Sequence, residues 1–232
     1  MPTAQFDLPF LTASQAQKHV TVNEALRVLD AVAQLSVLDR DLTVPPVSPS
    51  EGDRYIVATG ATGAWSGWDG NIAAWLDGAW LRLVPVPGWV VWVEDESELV
   101  VRKGGAWEQF AIAFAPNGSS TGLSVEEELL VCSGASVTST IEIANRDIVL
   151  GVSTRTVTTI TGATSYDCGI GGQASKFGGS LGVAAGSSNI GVVGPEAFYS
   201  DTPIVLTANG GNFTGGEVRI AIHCLRFTGP SS

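Results

Sequence analysis

Two histidines, His19 and His223, are the chain's only side chains with an unperturbed charge change near neutral pH. Nucleophilic catalysis needs such a base within hydrogen-bond reach of a serine or cysteine. Cys224 adjoins His223 in an alternating, strand-like run, and neighbours on a strand point to opposite faces, so the two cannot form a couple. A serine can meet His223 through space, but no local motif marks one. Glycoside hydrolysis would instead use two carboxylates. Asp167, Glu196 and Asp201 in the glycine-rich half, and Asp53, Asp69 and Asp77 in the tryptophan-rich half, are available. Turns in β proteins place aspartate for backbone reasons, so these residues read first as structural. Glu126-Glu127-Glu128 reads as the solvated start of a strand. The run CGIGGQASKFGG lacks the following helix that a phosphate-cradling loop requires. Cys132, Cys168 and Cys224 show neither a CxxC pair nor zinc spacing, and read as buried thiols. No enzyme activity, metal or cofactor is expected.

Binding chemistry is better represented. All seven tryptophans fall between positions 65 and 107. An indole half-exposed on a sheet can stack on the apolar face of a sugar while neighbouring polar groups bond its hydroxyls. Filling the core of a small sheet is the competing role. Trp65 and Trp68 are the candidates in this half. Phe198, Tyr199, Asp201, Asn209 and Asn212, in loop-like sequence beside strands, are the candidates in the other, where they read equally as ordinary loop residues.

The composition narrows the partners. A net charge of −11, with 12 Lys and Arg in 232 residues, lacks the basic footprint of a nucleic-acid binder and disfavours anionic membrane surfaces. No apolar run approaches the roughly 20 residues of a membrane helix, so no membrane insertion is expected. The start, MPTAQFDLPF, has no signal-peptide pattern, which implies synthesis in the cytoplasm.

These groups must be positioned by three kinds of element. Leu8 to Leu38 carries the signs of a long helix, with Thr12 and Gln15 at capping-box spacing. Gln15, His19, Val22, Leu26, Leu29 and Ala33 form a heptad seam, and Ala25, Val28, Val32 and Leu35 form a second. Two adjoining seams fit either one broad stripe in a monomer's core or burial against both the chain's own sheet and a symmetry mate. Prolines in TVPPVSPSEGD end this region. AAWLDGAWLRLV and ELVVRKGGAWEQF then read as β-hairpins turning at Asp77-Gly78 and Gly104-Gly105, within a small antiparallel meander. APNGSSTG reads as a linker. Beyond it, short strands with frequent turn signals predict a β-sandwich or jelly roll, whose last strand puts Val218, Ile220, Ile222 and Cys224 on one face and Arg219, Ala221 and His223 on the other. The expected division is a helical assembly segment at 1–42, a tryptophan-rich hairpin domain at 43–114, a linker at 115–122 and a β domain at 123–232. The fold class is mainly β with an N-terminal long helix.

LTASQAQKHVTVNEALRVLDA and GWDGNIAAWLDGAWLRLVPVPGWVVWVEDESELVVRKGGAWEQ together resemble a domain of unknown function, DUF2793, over roughly residues 6 to 110. That domain occurs in tail fibres and spikes of phages and prophages and in gene transfer agents of alphaproteobacteria. The remainder resembles the carboxy-terminal β domain often paired with it, and the compact length looks most like a head spike of a gene transfer agent. The resemblance implies a homotrimeric adhesin on the virion surface after release. It would be anchored by another virion protein and bind host capsular polysaccharide. It favours the partner reading of the helix, with Gln15 and His19 as polar layers near a three-fold axis. It supplies no catalytic motif. A glycan depolymerase or esterase of the same spike, or a purely structural connector, are the alternatives.

Overall fold

In the computed structural model of the chain, residues 2–11 and 18–230 are described. They form two compact units, divided between Phe110 and Ala111.

Among the described residues the first unit holds one α-helix, α1 (Lys18–Val32), a 3-10 turn at Gly63–Trp65 and seven short strands: β1 (Ser36–Val37), β2 (Arg54–Ile56), β3 (Ile72–Leu76), β4 (Ala79–Leu83), β5 (Val90–Val93), β6 (Glu98–Lys103) and β7 (Ala106–Gln109). The strands make two sheets, β2-β3-β4 and β1-β5-β6-β7, instead of a single meander. All pairs are antiparallel except β1 with β5, which is parallel. Both expected hairpins are present. Asp77 and Gly78, at φ of 55° and 76°, supply the two left-handed residues that a two-residue hairpin turn demands. One core lies between the sheets and the helix and contains Ala31, Val37, Ile72, Val91 and Val100. A smaller core gathers Tyr55, Val57 and Trp65, with Trp80 packed edge-on to Trp65 at 5.0 Å between ring centroids.

The helix is shorter than the sequence suggests. Leu8–Leu11 is not helical, and the chain leaves α1 at Val32 through Gln34, whose φ is +47°. Parallel pairing of Ser36 and Val37 with β5 draws it into the sheet. Gln15 and the Thr12 cap lie outside the described residues, and His19 falls in the first turn of α1. Along the first seam Val22, Leu29 and Ala33 are exposed and Leu26 is half-buried. Of the second, Ala25 and Val28 are exposed while Val32 and Leu35 pack on the core. The buried pair is Asp30 and Ala31. The helix therefore does not present a broad stripe to its own core.

Asp30 explains what the helix holds. Its carboxylate accepts hydrogen bonds from Thr3 Oγ1 at 2.7 Å, the Gln5 amide at 2.8 Å and the Phe6 amide at 2.9 Å. Thr3 and Leu8 close the same small loop, the Thr3 amide donating to Leu8 O and the Leu8 amide to Thr3 Oγ1. Arg54 completes the cluster by donating to Ala31 O, Ser36 Oγ and Gln5 Oε1. Burial pulls its guanidinium pKa down, against the opposing pull of Glu94 and Asp30.

The second unit contains β8 (Ala113–Phe114), β9 (Ser120–Val131), β10 (Ser136–Ile143), β11 (Ile148–Thr161), β12 (Ser165–Ile170), β13 (Gln173–Leu181), β14 (Ser188–Ala197), β15 (Thr202–Asn209) and β16 (Gly215–Thr228). Two antiparallel sheets, β10-β15-β12-β13 and β14-β11-β16-β9-β8, close over one core that includes Ile143, Val152, Tyr166, Phe177, Leu206 and Ile220. The stretch 115–122 is not a linker between units. It forms the turn from β8 and the first residues of β9, because Ala113 and Phe114 pair with Thr121 and Ser120. The change of unit falls at Phe110 instead. In β16, Val218, Ile220, Ile222 and Cys224 face the core and Arg219 and His223 face outward, as the alternation predicts. Glu126, Glu127 and Glu128 are not uniformly solvated. Glu126 pairs with Arg226 at 3.1 Å, and Glu128 accepts from the backbone amides of Thr140 and Ile141, which the irregularity within β10 leaves unpaired with β15. The period of two in β9 leaves Glu127 on the opposite face.

The three cysteines are buried and free. Burial pushes the Cys168 thiol up to about 12 and those of Cys132 and Cys224 up to about 11. The folded chain keeps protons that the unfolded chain releases from about pH 9 upward, so this contribution to stability is complete below that pH and is lost as pH rises toward about 12. Iodoacetamide at pH 8 is expected to leave all three thiols unmodified in the native protein and to alkylate them in denaturant. Mass-spectrometric labelling of the native state would contradict this.

Candidate functional site

The sequence candidates do not converge on one site. Trp65 is fully buried against Tyr55 and Trp80, which removes it as a sugar-stacking residue. Its Nε1–H is a buried donor with no partner among the described residues. Trp68 is half-buried against the same small core. Phe198 is buried in the core of the second unit, with the Lys176 ammonium 5.8 Å from its ring centroid. Tyr199 is 82% exposed. Asp201 accepts from the Asn145 amide at 2.8 Å, and Asn209 donates to Asp167 at 2.7 Å. Asn212 is exposed in the loop before β16. Tyr199 and Asp201 precede β15 while Asn209 ends it and Asn212 follows, so the length of an eight-residue strand, about 23 Å, separates the two groups.

A different cleft has the features those candidates were meant to supply. It measures about 500 Å³ and is lined by Arg40, Asp41, Thr59, Asp69, Arg102 and Trp107, among others. Arg102 and Trp107 are directly paired across β6 and β7. The Trp107 indole N–H donates to Gly70 O at 2.9 Å, which fixes the ring, and the Arg102 guanidinium stands 5.7 Å from the ring centroid. Gly70 has φ +68°, and a Cβ there would come within 3.0 Å of Arg102 Nη1. The left-handed backbone favours glycine here, whereas the close approach is to the movable end of the Arg102 side chain. Asp69 accepts from the amides of Gly60 and Ala61 and so ties the loop that forms one wall.

The two arginines differ in their freedom. Arg40 is clamped by Glu96 at 2.6 Å and Glu98 at 3.3 Å, and the bond to Glu96 raises its pKa. Arg102 makes no ion pair among the described residues. The cleft therefore offers an anchored indole, one uncommitted guanidinium and exposed carboxylates. Such a set can stack a ring and hydrogen-bond hydroxyl or carboxylate groups on its rim. Nothing local in the sequence singles out Trp107 for binding, although it follows the hairpin turn at Gly104-Gly105.

Residues 22–108 match the family model of a protein of unknown function, DUF2793. The match takes in most of the first unit, including the Trp107 cleft. No curated protein matches the chain. Among solved structures, a chain described as cyanophage Pam1 capsid asymmetric unit is similar at 18% identity, over 51% of this chain and 93% of that one, with a TM-score of 0.34.

One contact of catalytic type does occur. Ser153 Oγ and His223 Nε2 lie 3.0 Å apart on neighbouring strands β11 and β16. No carboxylate bonds the other ring nitrogen among the described residues, and the pair sits on a sheet face whose backbone amides are committed to the ladder. Among the described residues, no group of three or more His, Cys, Asp or Glu is placed to hold a metal.

Proposed function

We propose that this chain is a virion-surface adhesin, a homotrimeric spike or fibre component of a phage-like particle that holds host capsular polysaccharide. A head spike of a gene transfer agent is the more specific form of this reading. The second unit is read as a jelly roll. Its eight strands β9 to β16 change sheet at every step except from β12 to β13, and β9 lies beside β16 in the order β14-β11-β16-β9. The exposed apolar side of α1, where Val22 and Leu29 project, supports assembly with further copies or with an anchoring virion protein.

The observation that carries glycan binding is the Trp107 cleft. Its indole is held in place before any ligand arrives, so little conformational freedom is lost on stacking. Three weak sites on one spike gain strength by simultaneous engagement, by roughly two to four orders of magnitude. The full chain should be retained on immobilised capsular polysaccharide. Trp107→Ala should weaken that retention at least tenfold, an overall loss of about 1.4 kcal/mol or more. Failure of the native protein to bind would sink the adhesin reading. Full binding by the variant would move the site elsewhere.

The Ser153–His223 contact favours one second reading, an esterase acting on the same glycan. Acetate released from acetylated capsule by the native chain, and abolished in Ser153→Ala, would establish it. Our reading expects no release.

A further inference from the structure

The Trp107 cleft carries one cation that nothing in the cleft answers. Of its two arginines, Arg40 is neutralised by Glu96 and Glu98, whereas Arg102 makes no ion pair among the described residues. Two carboxylates, those of Asp41 and Asp69, line the same cleft, yet neither pairs with it. A half-buried guanidinium without a counter-charge is costly, and a ligand that brings the missing anion recovers that cost on binding. From this arrangement we infer that the cleft selects a saccharide bearing a carboxylate, a uronate, and that Arg102 is the residue that reads its charge. The inference rests on the glycan-binding function proposed above and names the substrate class of the same site.

The surroundings of Arg102 suit a sugar acid. Its planar fork of N–H donors matches the two oxygens of a carboxylate. The stem leaves β6 directly opposite Trp107, and the guanidinium stands 5.7 Å from the indole centroid. Stacking surface and charge therefore sit side by side, as a sugar ring and its own carboxylate do. The end of the side chain is movable, so it can turn onto the ligand while the indole stays bonded to Gly70 O.

The two aspartates decide against other ligands. Asp69 accepts one amide on each oxygen, from Gly60 and Ala61, and keeps lone pairs for hydroxyl donors. The Asp41 carboxylate is an acceptor of the same kind. Both residues are exposed, so water and salt screen their repulsion of a single carboxylate held in contact with Arg102. A phosphate monoester carries about −1.5 to −2 charges at neutral pH, more than one guanidinium answers. A neutral sugar leaves Arg102 without a partner. A uronate brings one negative charge and several hydroxyl donors, which matches one uncompensated cation and two acceptors.

Retention of the full chain on two forms of capsular polysaccharide tests this. One form is native, and in the other the carboxyl groups are reduced to primary alcohols, which leaves sulfate and phosphate esters intact. Reduction should weaken retention of the native protein at least tenfold. Arg102→Met keeps the stem beside the indole and removes the charge. It should lose at least tenfold on the unreduced polysaccharide and little more when the carboxyls are reduced, with unchanged tryptophan fluorescence. Arg102→Lys, a charge without the fork, should fall between the two. The comparison of polysaccharides on the native protein needs no variant, so a folding defect in Arg102→Met does not remove the test. Equal retention of the native protein on both forms would overturn the inference and leave the adhesin reading standing. So would an Arg102→Met protein that still distinguishes the two forms as the native one does. A native protein retained on neither would overturn both.

Discussion

Replacing Asp30 with alanine is expected to destabilise the first unit by about 3 kcal/mol, the cost range for breaking a buried charged cluster. The carboxylate is almost wholly buried and accepts three hydrogen bonds, two of them from backbone amides of the amino-terminal loop. Removing it strands those donors away from water and takes away a negative charge that offsets the burial of Arg54. Asp30→Asn keeps most of the shape but points an amide at a donor, and should cost roughly half as much. Chemical denaturation read by tryptophan fluorescence isolates the effect, since all seven tryptophans belong to this unit. A loss under about 1 kcal/mol would mean that the loop at residues 3–8 contributes little to stability.

Arg226→Ala is the corresponding experiment in the second unit. Arg226 Nε and Nη2 donate to both oxygens of Asp147 at 2.7–3.1 Å, and Nη2 reaches Glu126 at 3.1 Å. The bond to Asp147 is the main cause holding the guanidinium pKa above its ordinary value. The Asp147 side chain is only 5% exposed, so without Arg226 a buried carboxylate would face a second one. Partial exposure of Arg226 lets water soften the loss, and a destabilisation of about 2–3 kcal/mol is expected. Arg226→Met combined with Asp147→Asn should recover most of it, because the uncompensated charge is then gone. If the double variant is as unstable as the single, packing of the arginine stem and not the ion pair accounts for the effect.

Both residues show where reading the chain succeeds and where it stops. The hairpins at Asp77-Gly78 and Gly104-Gly105 and the alternation of β16 were legible because turn chemistry and the strand period are local. Asp30 was not. It lies between two apolar seams of α1, and its partners are backbone amides 24 and 25 residues away, which no spacing rule exposes. The tryptophans make the same point. Trp80 and Trp107 both follow a Gly-Ala pair that leaves a hairpin turn, yet Trp80 packs against Trp65 while Trp107 bonds Gly70 at the wall of a cleft. The local motif fixed the turn, and the surroundings of each ring came from the sheet it joined. The glycan candidates Asn209 and Asp201 were close in sequence, but a full strand between them sends them to opposite ends of the sandwich.

The pairing of β16 with β9 and β11 has a consequence in time. Residues 217–228 hydrogen-bond on one side to residues 120–131 and on the other to residues 148–161. Residues up to 228 must therefore leave the ribosome before the sheet can close, and such distant pairings are intrinsically slow to form. The hairpins of the first unit need no such wait. The strands β11 and β9 share no finished sheet until β16 arrives between them. Any contact that needs this sheet whole must therefore await β16.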